Sequence, residues 1–291
     1  MQITFHGAAC NVTGSKHLID HEGQRLLLDC GFFQGKRTEA RHTNSGFPFP
    51  ASSIDAVVLS HAHLDHCGML PLLVKQGFKG KIFSTPATKD VAQKMLMDSA
   101  AIQESDHRYI KRKATAVSHE KMSRPLYVKN DIAPTMRKFV THNYVRQGGG
   151  WLEVLPGIRL KFYDAGHILG SAVSVLEFKK GIKTKKLAFT GDLGRANTPI
   201  LHDPQTPKEK IDLLISEATY GNRIHGSSDE AYNKLKDLVQ QVAKRRSKLI
   251  VPAFSLGRTQ EFVYMMHLLT DAGEIPRIPI YVDSPLSLIH I

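Results

Sequence analysis

Four potential metal ligands occur within six residues of this chain, directly after an apolar run. The run, residues 56–60, is typical of a strand that is buried on both faces of a sheet. It leads into residues 61–66, His-Ala-His-Leu-Asp-His. Side chains two apart on an extended chain point to the same side, so His61 and His63 can share one ion. A turn after them can bring Asp65 and His66 to a second ion, which predicts a metal centre at the end of a buried strand.

Three other segments have a similar form, in which a β-like run ends at an Asp or His with a glycine within two residues. They present Asp29, His167 and Asp192. Each one alone is typical of an ordinary turn. In combination with the histidine cluster they supply the remaining ligands of a metal centre. We therefore expect His167 and Asp192 to converge with the cluster at one edge of a sheet.

Hydrophobic patterns divide the chain into a β-rich first part and a later part in which strands and helices alternate. The later part has predicted helices at 228–246 and 258–272, and its alternation is typical of βαβ units. Thr85 and Pro86 predict the capped start of a helix, and the polar, basic stretch 98–147 is predicted to be helical. The predicted strands are residues 2–5, 17–20, 25–29, 56–60, 151–155, 158–164, 172–178, 187–190, 212–217, 249–252 and 278–282.

The net charge and the cysteine pattern limit which partners and which cellular compartment we expect. The formal net charge is +12, which favours a polyanionic partner such as nucleic acid or an anionic membrane. The three cysteines include no Cys-x-x-Cys pair, so a reducing compartment is expected. No apolar stretch is long enough to span a bilayer. From these features we expect a soluble, cytoplasmic protein without a membrane partner.

The ordered series Asp29, residues 61–66, His167 and Asp192 resembles the four motifs of the metallo-β-lactamase superfamily. Three further segments are similar to the β-CASP branch, the nucleic-acid-processing nucleases related to the cleavage-and-polyadenylation endonuclease. They are residues 7–15, the segment Ser-Glu-Ala-Thr-Tyr-Gly at 216–221, and the segment Pro-Ala-Phe-Ser-Leu-Gly-Arg-Thr-Gln-Glu at 252–261. The resemblance implies an α/β fold. A metallo-β-lactamase αββα sandwich over residues 1–220 would be followed by an incomplete β-CASP α/β domain over residues 221–291.

The resemblance also implies a role for each ligand of a two-zinc site. His61, His63 and His167 would hold one zinc ion, Asp65 and His66 would hold the second, and Asp192 would bridge the two. Asp29 would lie behind the metals and orient either the bridging hydroxide or a ligand. Two such ions can activate a water molecule and offset the charge of a phosphodiester.

Three further residues gain roles from the resemblance alone. Glu217 would orient a histidine that serves as general acid, so Glu217 joins Asp29 and Asp65 as a predicted catalytic residue. Arg258 and Ser255 would contact the substrate. Other basic segments, such as residues 108–113, are as well explained by an ordinary surface as by a nucleic-acid contact.

In the family, the chain returns to the hydrolase domain after the β-CASP domain and supplies two more histidines. The present sequence ends at Ile291. We therefore expect the second zinc position to lack one ligand in this chain, and we expect little activity from it. His290 could replace a missing histidine in composition only.

The leading functional prediction is a zinc-dependent phosphodiester hydrolase that acts on RNA, that is, a ribonuclease of RNA processing. DNA stays open as a second nucleic-acid substrate. One alternative is a small-molecule hydrolase of the same superfamily, which would leave residues 216–221 and 257–261 without a role. The other is a non-catalytic RNA-binding subunit. The sequence does not indicate the RNA target, endonucleolytic or exonucleolytic action, or the oligomeric state.

Overall fold

The computed structural model of the protein describes residues 1–113, 124–224 and 226–284. Its backbone contacts divide the chain into two compact units. The first comprises Met1–Arg195 and Asp203–Glu217, and the second comprises Ala196–His202 and Ala218–Ile291. All the predicted metal ligands lie in the first unit.

The first unit contains a six-stranded sheet with strands in sequence order. The strands β1 to β3 are antiparallel, and β3 to β6 run parallel. Because β4 lies between two parallel neighbours, each of its residues is buried, as the apolar run predicts. The strands are β1 (Gln2–Phe5), β2 (His17–His21), β3 (Gln24–Leu28), β4 (Ala56–Val58), β5 (Lys81–Ser84) and β6 (Phe139–Thr141).

A second sheet of five strands completes the sandwich in the first unit, in the order β11-β10-β9-β8-β7. Its neighbours are antiparallel except for β10 and β11, which are parallel. Gly181, at a φ of 57°, turns the chain between the antiparallel strands β9 and β10. The strands are β7 (Leu152–Leu155), β8 (Ile158–Asp164), β9 (Ala172–Lys180), β10 (Lys183–Phe189) and β11 (Leu213–Ile215).

The core of the first unit lies between the two sheets. Leu26 and Val58 of the first sheet pack in one cluster with Phe162 and Leu176 of the second. Burial of each such side chain contributes about 1.5–3 kcal/mol relative to exposure. The predicted α/β class with a two-sheet sandwich is confirmed.

Helices of the first unit follow its parallel strands. They are α1 (Arg37–Thr43), α2 (Leu64–Cys67), α3 (Leu70–Lys75), α4 (Pro86–Lys113) and α5 (Ile132–Met136). The predicted start of α4 is confirmed, because the Thr85 hydroxyl accepts a hydrogen bond from the Thr88 amide at 3.1 Å and Pro86 is the first helical residue. In the part of the chain that is described, no helix is long and apolar enough to cross a membrane.

The second unit contains α6 (Ser228–Lys244) and α7 (Arg258–Asp271). Ser227 caps α6 by accepting a hydrogen bond from the Glu230 amide. Val239 of α6 packs with Met266 and Leu269 of α7 in a small core. Both predicted helices are therefore present, within two residues of their predicted ends.

The two predicted strands of the second unit are wrong, and the predicted helical stretch 98–147 is wrong in part. Residues 249–252 and 278–282 are not strands, because a strand needs a hydrogen-bonded neighbour and these segments pair with none of the described residues. Ile250 is 87% exposed and Tyr281 is 89% exposed. The stretch 98–147 is not helical throughout: α4 extends to Lys113, and β6 at residues 139–141 pairs with β5 instead. Residues 114–123 of this stretch lie outside the described residues.

Candidate metal centre

The predicted ligands stand at strand ends along one edge of the two-sheet sandwich. His61 follows β4, and Asp29 follows β3, its parallel neighbour. His167 lies in the connection between β8 and β9, and Asp192 follows β10. Parallel strands end at the same sheet edge, so their following residues meet there. This topology explains how ligands more than 100 residues apart come together.

His61, His63, His167 and Asp192 offer ligand atoms that all lie within 4.8 Å of one another. The Nδ1 atom of His63 is 3.1 Å from Nε2 of His61 and 3.2 Å from Nε2 of His167. Oδ2 of Asp192 is 3.7 Å from the His61 nitrogen and 3.5 Å from the His167 nitrogen. The predicted convergence of these four residues is confirmed.

These spacings fit one tetrahedral ion. Bonds of about 2.0–2.1 Å to four ligands place neighbouring ligand atoms about 3.3 Å apart. Four of the six distances between these atoms range from 3.1 to 3.7 Å and bracket that value. Three imidazole nitrogens and one carboxylate oxygen form a donor set that suits a first-row divalent metal.

A second group of ligand atoms adjoins the first through Asp192. The other oxygen of Asp192, Oδ1, lies 3.3 Å from Nε2 of His66, and this nitrogen is 3.8 Å from Oδ2 of Asp65. The two oxygens of Asp192 therefore face two different sets of ligands. This is the arrangement that a carboxylate bridging two metal ions requires.

Asp29 lies behind the ligands and is completely buried. Its Oδ2 accepts hydrogen bonds from Nδ1 of His66 at 2.7 Å, the Ser60 hydroxyl at 2.9 Å and the Ser15 hydroxyl at 3.2 Å. Its Oδ1 accepts from the Ser60 amide at 2.8 Å. The structure thus places Asp29 against the imidazole of His66, and its predicted role of orienting a ligand or a hydroxide stays a prediction.

The loop that carries His167 is anchored at its own serine and at the start of α4. The Ser171 hydroxyl accepts hydrogen bonds from the amides of His167 and Ile168. The carbonyl of Gly170 accepts from the hydroxyls of Thr85 and Thr88, each at 2.7 Å. These contacts fix the loop on a rigid helix terminus, so the backbone that carries His167 is held in place.

A sequence model described as Metallo-beta-lactamase superfamily matches residues 14–253. The chain belongs to this superfamily. It is 34% identical to Ribonuclease TTHA0252 of Thermus thermophilus, covering 99% of this chain and 59% of that protein. It is 33% identical to Cleavage and polyadenylation specificity factor 73 of Drosophila melanogaster, with 99% and 39% covered. It is 34% identical to Transcription termination factor FttA of Pyrococcus horikoshii, with 98% and 42% covered.

The chain therefore spans about two fifths to three fifths of the length of these relatives. Among solved structures, the Rm3 metallo-beta-lactamase is 13% identical with a TM-score of 0.41, over 89% of this chain and 87% of that one. The superfamily that the ordered motifs predict is confirmed, and the relatives agree with the predicted resemblance to nucleic-acid-processing members.

The protonation states of the centre suit metal binding in this superfamily member. Burial lowers the pKa of His63 to about 3. Burial and the neighbouring imidazoles hold the pKa of His61 well below its usual value, so both rings are neutral. Burial alone would lower the pKa of His66, but the carboxylates of Asp29 and Asp192 raise it well above the usual value. A metal ion bound by His66 would therefore have to displace a proton from it.

The pKa values of the two carboxyl groups near His66, those of Asp65 and Asp192, are shifted in opposite directions. Burial raises the pKa of Asp65. Burial would also raise the pKa of Asp192, but the hydrogen bond and charge of His66 lower it below its usual value. The lowered pKa keeps Asp192 anionic and available to bind a cation. A cation near Asp65 would stabilise the ionised form of its carboxyl group, which burial disfavours.

Glu217 supports the loop that carries Asp192. Its Oε1 accepts a hydrogen bond from the Leu193 amide at 2.8 Å, and its own amide donates to the Thr190 hydroxyl at 3.2 Å. The Glu217 carboxylate therefore fixes the backbone one residue beyond Asp192. Its predicted role of orienting a general-acid histidine stays a prediction.

The predicted substrate-binding residues lie in the second unit. Arg258 is the first residue of α7, and its guanidinium is largely exposed and 3.0 Å from the Glu261 carboxylate. Ser255 lies before the same helix, and its hydroxyl accepts a hydrogen bond from the Ser284 hydroxyl at 3.1 Å. Contact of either residue with substrate stays a prediction. His290 lies outside the described residues.

Sequence reasoning missed Ser15 and Ser60, which donate to Asp29. A serine at the end of an apolar strand has no distinctive spacing. The one available signal was that Ser60 directly precedes the histidine cluster.

Proposed function

We propose that this chain carries the metal centre of a zinc-dependent phosphodiester hydrolase that acts on RNA. The observation that carries the proposal is the position of Asp192, whose two oxygens face two separate sets of ligand atoms at 3.3–3.7 Å. His61, His63 and His167 would hold one zinc ion, Asp65 and His66 the other, and Asp192 both. Zinc is the proposed metal because imidazole and carboxylate ligands at tetrahedral spacing suit it.

When bound, two neighbouring zinc ions supply positive charge that offsets the phosphoryl oxygens and lowers the pKa of a water molecule. The chain's own residues prepare the site for this chemistry. The low pKa values of His61 and His63 keep their rings neutral and available as ligands. Asp29 and Glu217 hold His66 and the Asp192 loop in position, so little reorganisation is needed when substrate arrives.

RNA is the proposed substrate because the relatives are named as a ribonuclease, a cleavage and polyadenylation factor and a transcription termination factor. The net charge of +12 supports a polyanionic partner. Arg258 and Ser255 are the proposed substrate contacts, since a cationic side chain at a helix N-terminus is suited to phosphate. DNA is the competing substrate to be tested.

The same proposal assigns residues 1–220 to the hydrolase domain and 221–291 to part of a β-CASP domain. It also assigns the protein to the cytoplasm. The three cysteines, of which Cys30 and Cys67 are buried, are all free thiols, as a reducing compartment requires.

The test is cleavage of end-labelled RNA by the zinc-loaded chain, with single-stranded DNA and a chromogenic ester as parallel substrates. Because the second ligand set is incomplete, we expect only weak cleavage of RNA, which a chelator and His63→Ala abolish. His42→Ala serves as the exposed histidine control. Hydrolysis of the ester without RNA cleavage would favour a small-molecule hydrolase. RNA binding with zinc bound and no cleavage would favour a non-catalytic subunit.

A further inference from the structure

Ser60 occupies the centre of the hydrogen-bond network behind the metal ligands. Its side chain is buried, with 1% of the residue exposed, and it separates Asp29 from His61. The hydroxyl oxygen is 2.9 Å from Oδ2 of Asp29 and 3.0 Å from Nδ1 of His61. The amide of Ser60 donates to the other oxygen of Asp29 at 2.8 Å. The amide and the hydroxyl of Ser60 thus both contact residues of the proposed metal centre.

The number of available protons fixes the direction of these bonds. An ionised carboxylate only accepts, and a serine hydroxyl has a single proton. That proton goes to Oδ2 of Asp29. The hydroxyl oxygen then has only lone pairs for His61, so Nδ1 of His61 has to carry the proton between them. If Nδ1 lacked it, two lone pairs would face each other at 3.0 Å in a buried site.

The consequence for His61 is that its other nitrogen, Nε2, is unprotonated. Nε2 is the atom that lies 3.1 Å from His63 and 3.7 Å from Asp192, at the first metal position. Asp29 in turn contacts the second position, because its Oδ2 accepts from Nδ1 of His66, and Nε2 of that ring lies 3.3 Å from Oδ1 of Asp192. A single hydroxyl–carboxylate pair therefore contacts one ligand of each metal position.

We propose that Ser60 is a positioning residue that holds His61 in the Nδ1–H tautomer and, through its bond to Asp29, couples the first metal position to the second. The proposal rests on the metal centre of the proposed function and is independent of RNA as the substrate. Ser60 acts through His61 and Asp29, and it contacts no reacting atom. A neutral imidazole binds a metal only through its unprotonated nitrogen, so the tautomer sets metal affinity.

The packing around Ser60 limits which variants are informative. A Cβ built at Gly191 would lie 2.6 Å from Cβ of Ser60, so the site has no room for a larger side chain. Ser60→Ala removes only the hydroxyl and adds nothing. Ser174→Ala is the matched control, because Ser174 is also fully buried and its hydroxyl has no hydrogen-bond partner among the described residues.

The experiment measures zinc affinity by competition with a chelator in the wild-type chain, Ser60→Ala and Ser174→Ala. We expect Ser60→Ala to weaken the tighter zinc by about 10–100-fold, as loss of a hydrogen-bond partner behind a ligand does in other metal sites. We expect Ser174→Ala to match the wild type. Equal zinc affinity in Ser60→Ala and Ser174→Ala would overturn the proposal.

A second measurement needs no variant that could fail to fold. Long-range proton–nitrogen NMR of the histidine rings reports which nitrogen of His61 carries the proton in the wild-type chain. We expect a protonated Nδ1, and a signal from a protonated Nε2 would overturn the proposal. Absence of zinc binding in the wild type would contradict the proposed function, whereas the tautomer of His61 would still decide the role of Ser60.

Discussion

At the scale of single residues, the sequence predicts the residues that could bind a metal better than it predicts the residues that position those side chains. His61, His63, His167 and Asp192 were predictable because imidazole and carboxylate groups at strand ends have a recognisable chemistry. The role of Ser60 was not predictable. It depends on a contact with Asp29, which lies 31 positions earlier in the chain, and that contact exists only after β3 and β4 pair.

Asp192 and Asp29 should differ sharply in their effect on bound metal. Asp192→Ala removes both oxygens that face the two ligand sets, so we expect loss of both zinc ions and of hydrolysis. Asp29→Asn keeps the shape but removes the negative charge and one of the two oxygens that accept from His66 and Ser60. We therefore expect an effect of about 10–100-fold on affinity or activity, with most zinc retained. Plasma emission analysis of both purified variants measures this. Equal zinc loss would mean that the two roles are misassigned.

His17 should make the protein sensitive to acid. It is 4% exposed, its ring lies 5.0 Å from that of Phe5 and 5.6 Å from that of Phe189, and burial lowers its pKa to about 4. The unfolded chain binds this proton near pH 6.5. Stability from the neutral ring is therefore complete above pH 6.5 and is lost as the pH falls from there towards 4.

His17→Phe should remove this dependence and keep a ring in the same apolar site. Between pH 7 and pH 5 we expect the wild type to lose about 1–2 kcal/mol more unfolding free energy than the variant. Urea unfolding at both pH values measures the difference, and His42→Gln, at an exposed histidine, serves as control. Parallel losses in the wild type and His17→Phe would contradict the assignment.

At the scale of elements, predictions succeeded where a segment is paired and buried in the first unit. Strand β1 has the bounds that alternation predicted, and β4 lies within the predicted apolar run because neighbours on both sides pair with it. Residues 249–252 and 278–282 have the same β-prone composition but pair with no described strand. Periodicity reports which face a segment can bury, and only a neighbouring strand makes it part of a sheet.

Gly31 should be essential to the junction between the end of β3 and helix α2. A Cβ at this position would lie 1.6 Å from the carbonyl oxygen of Asp65, so the backbone that carries Asp65 and His66 would have to move. We expect Gly31→Ala to lower the unfolding free energy by about 1–3 kcal/mol or more and to weaken metal binding at the second position. Urea titration and zinc analysis measure the two effects.

The matched control for this substitution is Gly46→Ala. A Cβ at Gly46 would meet no atom within 4 Å, and Gly46 is not among the glycines with positive φ. We expect its stability and zinc content to equal those of the wild type. Similar behaviour of the two alanine variants would show that the close approach at Gly31 is relieved without cost.

At the scale of the whole chain, the described residues give the two proposed metal positions unequal sets of potential ligands. The first has three imidazole nitrogens and one oxygen of Asp192, a full tetrahedral set. The second has one imidazole, one carboxylate and the other oxygen of Asp192. The second position also has to displace a proton from His66, whose pKa is raised. Ligand number and proton displacement therefore both favour binding at the first position.

Zinc titration of this chain should accordingly show one tight equivalent and one weak equivalent. Mild chelation should remove the weak zinc first, and its affinity should fall more steeply with decreasing pH, because protons compete for His66. Calorimetric titration at pH 6 and pH 8 measures both effects. His66→Ala should abolish only the weak equivalent, and His63→Ala, in which the first set loses a ligand, should abolish the tight one. Two equally tight zinc ions in the wild type would mean that a residue outside the described ligand sets completes the second position.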